Sequence, residues 1–189
     1  PTLTIRWNLF AETWRVITFT RANATVFNSV LGISWFWFFG ATLLAQLPSF
    51  ATDHPGGNEQ VVTLLLTLFS FGIGVGSLLC ERLSGRLVEI GLVPFGAIGL
   101  TVFGADLFFA APAQLATGEA LSVGEFVGRS EHWRVMADIT LMALFGGFFI
   151  VPLYALVQLR SPAERRSRII AGNNVLNAFF MVASALMAV

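Results

Sequence analysis

The feature that most constrains the fold of this 189-residue chain is a series of long apolar blocks separated by short charged segments. Each block is close to the ~20 residues that an α-helix needs to cross a hydrocarbon core about 30 Å thick. Because lipid offers no hydrogen-bond partners, a helix that satisfies its own backbone is the expected form of such a block. We therefore predict an all-α integral membrane protein with spans at about 26–47, 61–80, 87–110, 133–157 and 169–189.

The overall composition and the missing motifs agree with this class. Hydrophobic residues make up 56% of the chain and charged residues 12%, whereas a soluble domain has about 25% charged residues. The single cysteine, Cys80, excludes an internal disulfide, and two isolated histidines form no metal-ligand pattern. Nucleotide-binding and hydrolase motifs are missing from the sequence. We expect no catalytic residue, metal, cofactor or nucleic-acid partner here, so any enzyme of a parent protein would lie elsewhere.

Nine of the eleven arginines fall on one side of the membrane if the five blocks alternate in direction. Arg129 and Arg134 are the only two of the eleven basic residues on the opposite side, where acidic residues predominate. Positive short loops face the cytoplasm, so the amino-terminal end is expected inside. The nine inner basic residues are Arg6, Arg15, Arg21, Arg82, Arg86, Arg160, Arg165, Arg166 and Arg168.

Residues 1–25 form a separate region ahead of the bundle at 26–189. Trp7, Phe10, Trp14 and Ile17 recur at helical spacing, which indicates an amphipathic helix in the cytoplasmic interface or, equally, a packed elbow between helices. The start without Met and the end inside an apolar run lead us to expect a fragment of a longer protein.

Other local signals concern helix packing and helix ends. The pairs Gly72/Gly76 and Ala143/Gly147 have the small-xxx-small spacing that permits close helix approach. Pro94 and Pro152 are expected inside spans, where neighbouring helices accommodate a kink. The outer connection at 111–131 has room for a short helix. The sequence 161–164, Ser-Pro-Ala-Glu, predicts the start of a separate cytoplasmic helix.

The most specific motif joins the second and third blocks, at residues 76–86, with Gly76, Glu81, Arg82, Gly85 and Arg86 in order. It resembles the cytoplasmic loop signature of the major facilitator superfamily. A generic basic loop would explain the arginines but not the ordered glycines and acid. The resemblance implies a latch that holds one access state, and the carboxy-terminal half of that fold, spans 7–11. It also implies an amino-terminal half of the same transporter as a partner.

Two further stretches, at 31–46 and 151–181, are similar to the lysophospholipid transporter branch, whose members include fusions to acyltransferase and acyl-activating domains. This resemblance implies transport of lysophosphatidylethanolamine-like lipid across the bacterial inner membrane by alternating access. It also implies membrane lipid and a fused or associated acyltransferase as partners. Two alternatives stay open, a facilitator for another metabolite or drug and a non-transporting scaffold for lipid-acylating enzymes.

Polar residues at helical intervals within the spans are candidates for a substrate cavity. Polar groups in a span normally face the bundle interior or water, and the competing explanation is hydrogen bonding between helices. Thr140, Gly147 and Ser184 extend the same stripes. The candidate cavity residues are Asn28, Trp35, Thr42, Gln46, Tyr154, Gln158, Asn173 and Asn177.

Charged residues at the outer ends of two spans form the last candidate group. Asp138 follows Arg134 by four residues, so the two side chains can pair on one helical face, and Asp106 lies about one turn from the outer end of its span. These residues are interpreted either as an interfacial salt bridge or as an ion-coupling site.

Overall fold

A computed structural model describes residues 18, 21, 23–85, 89–111 and 118–188, and this part of the chain contains helices and no strand. The predicted helix at Trp7 to Ile17 lies outside the described residues, as does Arg86. Five helices are long and apolar enough to cross a membrane, which confirms the five predicted spans. In chain order the helices are α1 (Ala24–Asp53), α2 (Glu59–Leu83), α3 (Leu92–Ala110), α4 (Val123–Gly128), α5 (Glu131–Arg160) and α6 (Arg166–Met187).

Side-chain caps explain where several helices begin. The Asn23 carboxamide oxygen accepts from the backbone of Thr25 at the start of α1, and Asn58 caps α2 by accepting from Gln60 N at 2.9 Å. Ser122 and Glu125 form a reciprocal capping box at the start of α4. This short helix lies in the outer connection where one was expected.

Both prolines lie inside spanning helices, as predicted. α3 begins at Leu92, so Pro94 lies in its first turn, where proline removes no helical hydrogen bond, and Pro152 lies within α5. One prediction about a helix start needs correction. The separate helix predicted at residue 161 is wrong. There Arg165 N donates to the Pro162 carbonyl at 2.9 Å, forming a turn that leads directly into α6. Ser161 is buried and its hydroxyl has no hydrogen-bond partner among the described residues, so it does not act as a cap.

The chain divides into two compact units. One contains residues 1–41 and 153–187, and the other contains residues 42–152 with Ala188. The loops that precede α2 and α4 are tied by their backbones, because Asn58 N donates to the Leu121 carbonyl at 3.0 Å and Leu121 N donates to the Gly56 carbonyl at 2.8 Å. The first unit combines the amino-terminal part of α1 with the carboxy-terminal part of α5 and with α6.

Glycines allow α2 and α3 to pack closely on α5 within the second unit. A Cβ on Gly76 would overlap the Leu144 carbonyl, and one on Gly147 would lie 2.6 Å from Ser77 N. On the other side, a Cβ on Gly96 would lie 2.5 Å from Phe149 N. Since side chains at these positions would separate the backbones, the predicted close helix approach at the small residues is observed, and the structure identifies α2 and α5 as the two helices that meet there.

Large apolar side chains remain exposed on the spanning helices. Phe71 is 63% exposed and Phe108 is 77% exposed, and Leu186 is similarly open. In water such surfaces would aggregate, whereas in a bilayer they contact lipid chains. Most of the span in α5 is buried, while the other four spans keep most of their residues accessible. The chain is therefore a multi-pass helical membrane protein.

Candidate functional site

Most hydroxyl groups in the spans form a hydrogen bond within their own helix. Their side-chain oxygens donate to the backbone carbonyl four residues earlier, at 2.7–3.0 Å. Such bonds neutralise a polar group locally and need no partner from another helix. The residues are Ser29, Thr63, Thr67, Ser70, Ser77, Thr101 and Thr140.

A different arrangement joins three helices in the first unit. Ser34 Oγ of α1 donates to Asn177 Oδ1 of α6 at 2.9 Å. The Tyr154 hydroxyl of α5 accepts from Trp37 Nε1 at 3.0 Å and from Asn177 Nδ2 at 3.5 Å. Both bonds use the tyrosine oxygen as acceptor, which leaves its hydrogen able to bind a ligand or water. We call Ser34, Trp37, Tyr154 and Asn177 the Tyr154 network.

Asn173 adds an unsatisfied polar atom one helical turn before Asn177. Its side chain is 1% exposed, and its Oδ1 has no hydrogen-bond partner among the described residues. Leaving a buried acceptor unpaired costs about 1–3 kcal/mol, so such an atom is normally found where another donor completes it. With Ser184, also buried on α6, these residues lie on the packed side of that helix.

Aromatic side chains of α1 flank the Tyr154 network. Trp35 and Phe39 stack with ring centroids 5.7 Å apart, and Phe36 meets Trp37 edge to face at 6.5 Å. Phe38 makes a similar edge contact with Phe180 of α6 at 6.5 Å. The first unit therefore places a polar, hydrogen-bonding group beside broad aromatic surfaces.

The structure separates the predicted cavity residues. Tyr154 and Asn177 meet in the network, and Asn173 is buried beside Asn177 on α6. Thr42 is half-buried, and its place in a cavity stays a prediction. The same holds for four exposed residues, Asn28, Trp35, Gln46 and Gln158. Gly147 of the α5 stripe packs against α2, as a helix contact.

Sequence reasoning missed Ser34 and Trp37 as members of the network. Both lie in the stretch 31–46 that carries the family resemblance. Ser34 also follows Val26 and Val30 at intervals of four residues, and all three are buried. That spacing is the signal that would have favoured the Ser34 face of α1 over the Asn28 face.

The carboxy-terminal end of α2 carries the loop motif. Gly76 contacts α5 within the helix, and α2 ends at Leu83. Gly85 has a φ of +57°, a left-handed conformation that glycine adopts without strain and that makes the expected tight turn. Glu81 and Arg82 are exposed at this end. The latch role of these residues stays a prediction.

Two of the three charged candidates, Arg134 near the start of α5 and Asp106 near the end of α3, come together in the second unit. Arg134 donates to the Asp106 carboxylate twice, from Nε to Oδ2 at 3.0 Å and from Nη2 to Oδ1. The predicted pairing of Arg134 with Asp138 along one helix is thus replaced by a bidentate pair between two helices. Asp138, one helical turn after Arg134 on α5, is 3% exposed, and its Oδ2 has no hydrogen-bond partner among the described residues.

A pocket of about 670 Å³ lies in the same unit. Its lining is almost wholly apolar, with one imidazole, and comes from the end of α1 and the outer end of α3. The lining residues are Phe50, His54, Gly104, Leu107, Phe108, Phe109 and Ala111. Among the described residues, no group of three or more His, Cys, Asp and Glu side chains could hold a metal ion.

Comparisons with family models, with curated proteins and with solved structures each found no match. The class of the protein therefore rests on its helices, which define a multi-pass membrane protein with a partly buried polar network in one unit and a charged cluster in the other.

Proposed function

We propose that this chain is part of a transporter of the major facilitator type, which moves a lysophosphatidylethanolamine-like lipid across the bacterial inner membrane by alternating access. In this proposal the chain supplies spans 7–11 and works with an amino-terminal half of the same transporter. Lysophospholipid is the cargo, membrane lipid surrounds the bundle, and an acyltransferase, fused or associated, consumes the transported lipid.

The observation that carries this proposal is the Tyr154 network beside the aromatic side chains of α1. A lysophospholipid has a polar head with several hydrogen-bonding groups and one apolar chain. The Tyr154 hydroxyl hydrogen can donate to an acceptor of such a head group, and the unpaired Asn173 Oδ1 can accept from one of its donors. Trp35 and Phe39 suit the acyl chain.

Local hydrogen bonding is the main competing explanation for polar residues in spans. It accounts for the seven hydroxyl groups bonded within their own helices, but not for a network in which the donors and acceptors come from three helices. Bonds between helices also hold bundles together, so a functional test must separate transport from abundance.

The test is uptake of labelled lysophosphatidylethanolamine into proteoliposomes that contain the full-length protein. Tyr154→Phe removes one hydroxyl and keeps the ring, so we expect a fall of about tenfold in transport at unchanged folded amount, corresponding to about 1.4 kcal/mol. Thr101→Val is the matched control, since that hydroxyl bonds only its own helix at Ala97. Uptake should be saturable in the wild-type protein and in the control.

Three outcomes would redirect the proposal. No uptake by folded protein, with uptake of a different solute, would favour a facilitator for another metabolite or drug. No transport of any solute, with retained binding of an acyltransferase, would favour the scaffold. Equal loss of transport and of folded protein in Tyr154→Phe would assign the network to packing alone.

The inner loop provides a separate test of the alternating-access part of the proposal. If Glu81, Arg82 and Gly85 form a latch with Arg86, Glu81→Gln should change the ratio of inward-open to outward-open molecules, measured by distances between spin labels. Glu164→Gln, at another exposed inner acid, is the control. An unchanged ratio in Glu81→Gln would contradict the latch.

A further inference from the structure

The pocket of about 670 Å³ in the second unit lies where two spanning helices end. His54 directly follows α1, and Ala111 directly follows α3. α3 has 19 residues, and its length of about 28 Å matches a hydrocarbon core about 30 Å thick. Its last residue therefore lies near the boundary between hydrocarbon and head groups, and Gly104 lies about 9 Å deeper at a rise of about 1.5 Å per residue. The pocket consequently reaches from this boundary into the hydrocarbon layer.

Two phenylalanines near the end of α3 form the rim of this pocket. Phe108 and Phe109 belong to its lining, yet they are 77% and 73% exposed. Their rings meet edge to face with centroids 5.4 Å apart. Ile98 and Val102, earlier in the same helix, are also exposed. The rim is thus continuous with the apolar surface through which α3 contacts lipid chains, so the pocket opens towards the bilayer.

The chemistry of the lining decides what fills the pocket. His54 is the one polar side chain among the described lining residues, so water there would lack the two to four partners that it usually needs. An empty apolar space would forfeit the dispersion contacts of its walls. At the rim the available apolar material is a lipid acyl chain, and the volume falls within the range of about 300–1,000 Å³ for small-ligand pockets. The ester and phosphate oxygens of a lipid lie at the depth of His54, whose imidazole can donate a hydrogen bond.

We propose that this pocket is a binding site for one acyl chain of a bilayer phospholipid, with the ester and phosphate groups of that lipid beside His54. The site goes beyond the proposed function, because it belongs to the second unit, whereas the Tyr154 network belongs to the first. It binds a lipid of the surrounding bilayer and does not depend on the transported solute.

Photo-crosslinking of the full-length protein tests this site. The protein is reconstituted in vesicles of phosphatidylethanolamine and phosphatidylglycerol that contain a trace of phosphatidylethanolamine with a diazirine in its acyl chain. Mass spectrometry then maps the lipid adducts to peptides. We expect a higher adduct yield per exposed area at residues 107–111 than at Phe71 of α2, which is 63% exposed and reports ordinary bilayer contact.

Gly104→Leu fills the pocket and should remove this difference. A Cβ on Gly104 meets only Met142 Sδ, at an ordinary contact distance of 3.7 Å, so a longer side chain has room to extend into the pocket. The yield at residues 107–111 should then fall to that at Phe71. Gly74→Leu is the matched control on α2, where a Cβ meets nothing within 4 Å, and it should leave the yield unchanged. Gly104→Ala should give an intermediate yield, which keeps the test decisive if Gly104→Leu fails to fold.

Three results would overturn the proposal. Equal yields at residues 107–111 and at Phe71 in the wild-type protein would mean that the pocket contacts lipid no more than any exposed side chain does. Adducts at Phe71 without adducts at residues 107–111 would mean that another part of the protein fills the pocket. An unchanged yield in the folded Gly104 variant with the larger side chain would mean that the labelled chain lies outside the pocket.

Discussion

At the residue scale, two buried serines of α1 differ in where their hydroxyls bond. Ser29 is 2% exposed and donates to the Thr25 carbonyl of its own helix at 2.8 Å. Ser34 is fully buried and donates to Asn177 on α6. The two residues have the same side chain and nearly the same burial. Comparing them therefore distinguishes the contribution of a hydrogen bond within a helix from that of a hydrogen bond between helices.

Ser34→Ala should destabilise the folded protein more than Ser29→Ala. The first change leaves Asn177 Oδ1 without its donor, and hydrogen bonds between membrane helices contribute about 0.6 kcal/mol on average and about 1.7 at most. The second change removes only a bond within a helix. The free energy of unfolding, measured in mixed micelles by denaturant titration, gives both values. Equal effects would contradict a stabilising role for the Ser34–Asn177 bond.

Sequence reasoning did not identify the buried face of α1, and the reason is physical. Apolar residues occupy every side of a lipid-embedded helix, so the usual contrast between a polar surface and an apolar core is missing. Asn28 and Trp35, which were predicted to face a cavity, are exposed, whereas Ser34, the residue before Trp35, is buried. Asn173 and Asn177 were easier, because two amides one turn apart in a span mark a packed face.

At the element scale, α2 and α5 depend on glycine for their close contact. Gly76→Ala places a methyl group against the backbone of Leu144, so the helices must move apart. We expect a loss of about 1–3 kcal/mol in the free energy of unfolding, as for overpacked cores. Gly74→Ala is the matched control on the same helix, because a Cβ there meets nothing within 4 Å. Equal stability of the two variants would contradict the packing of α2 on α5.

The short helix α4 should be sensitive to acid. The hydrogen bonds from the Ser122 hydroxyl and backbone N–H to the Glu125 carboxylate hold the pKa of Glu125 below its ordinary value. Because the pKa is lower in the folded state, the stabilisation is complete above the unfolded pKa and is lost as pH falls through the folded one.

Hydrogen exchange of the α4 amides, corrected for the intrinsic pH dependence of exchange, measures this effect. Protection should decrease on acidification in the wild-type protein. Glu125→Gln keeps an acceptor for the capping box but cannot titrate, so the decrease should be absent. Acid-dependent loss of protection that persists in Glu125→Gln would assign the sensitivity to another group.

Helix positions were predictable from the sequence, whereas some helix ends were not. The five spans follow from the lengths of the apolar blocks, since a helix satisfies the hydrogen bonds of its own backbone in lipid. The residues 161–164 matched a helix-start pattern, yet Ser161 is buried and a turn closed by Pro162 leads straight into α6. The sequence pattern reflects only the local preference for a helix start, and it contains no information about the tertiary packing that buries Ser161.

At the scale of the whole molecule, the sequence carries information about orientation that the helices alone do not. The arginines segregate to one set of connections, and the short inner loops favour a cytoplasmic amino-terminal end. α4 and the backbone ties between Asn58 and Leu121 then belong to the outer side. The lone cysteine is a poor reporter of this orientation, since Cys80 is only 2% exposed.

Cysteines at two exposed loop positions report orientation directly. In a Cys80→Ala background, Glu119→Cys lies in the predicted outer connection and Glu164→Cys lies in the predicted inner one, with α5 between them. A membrane-impermeant thiol reagent added outside intact cells should label Glu119→Cys, and should label Glu164→Cys only in inverted vesicles. The Cys80→Ala protein without added cysteines sets the background.

Each pattern of labelling has a distinct meaning for the membrane arrangement. If Glu164→Cys were labelled from outside and Glu119→Cys only in inverted vesicles, the fold would stand and the orientation would be reversed. That outcome would contradict the role assigned to the arginines. Labelling of both positions from one side would mean that α5 does not cross the membrane. That outcome would also remove the basis for placing Asp138 and the Tyr154 network inside the bilayer, because both depend on α5 as a spanning helix.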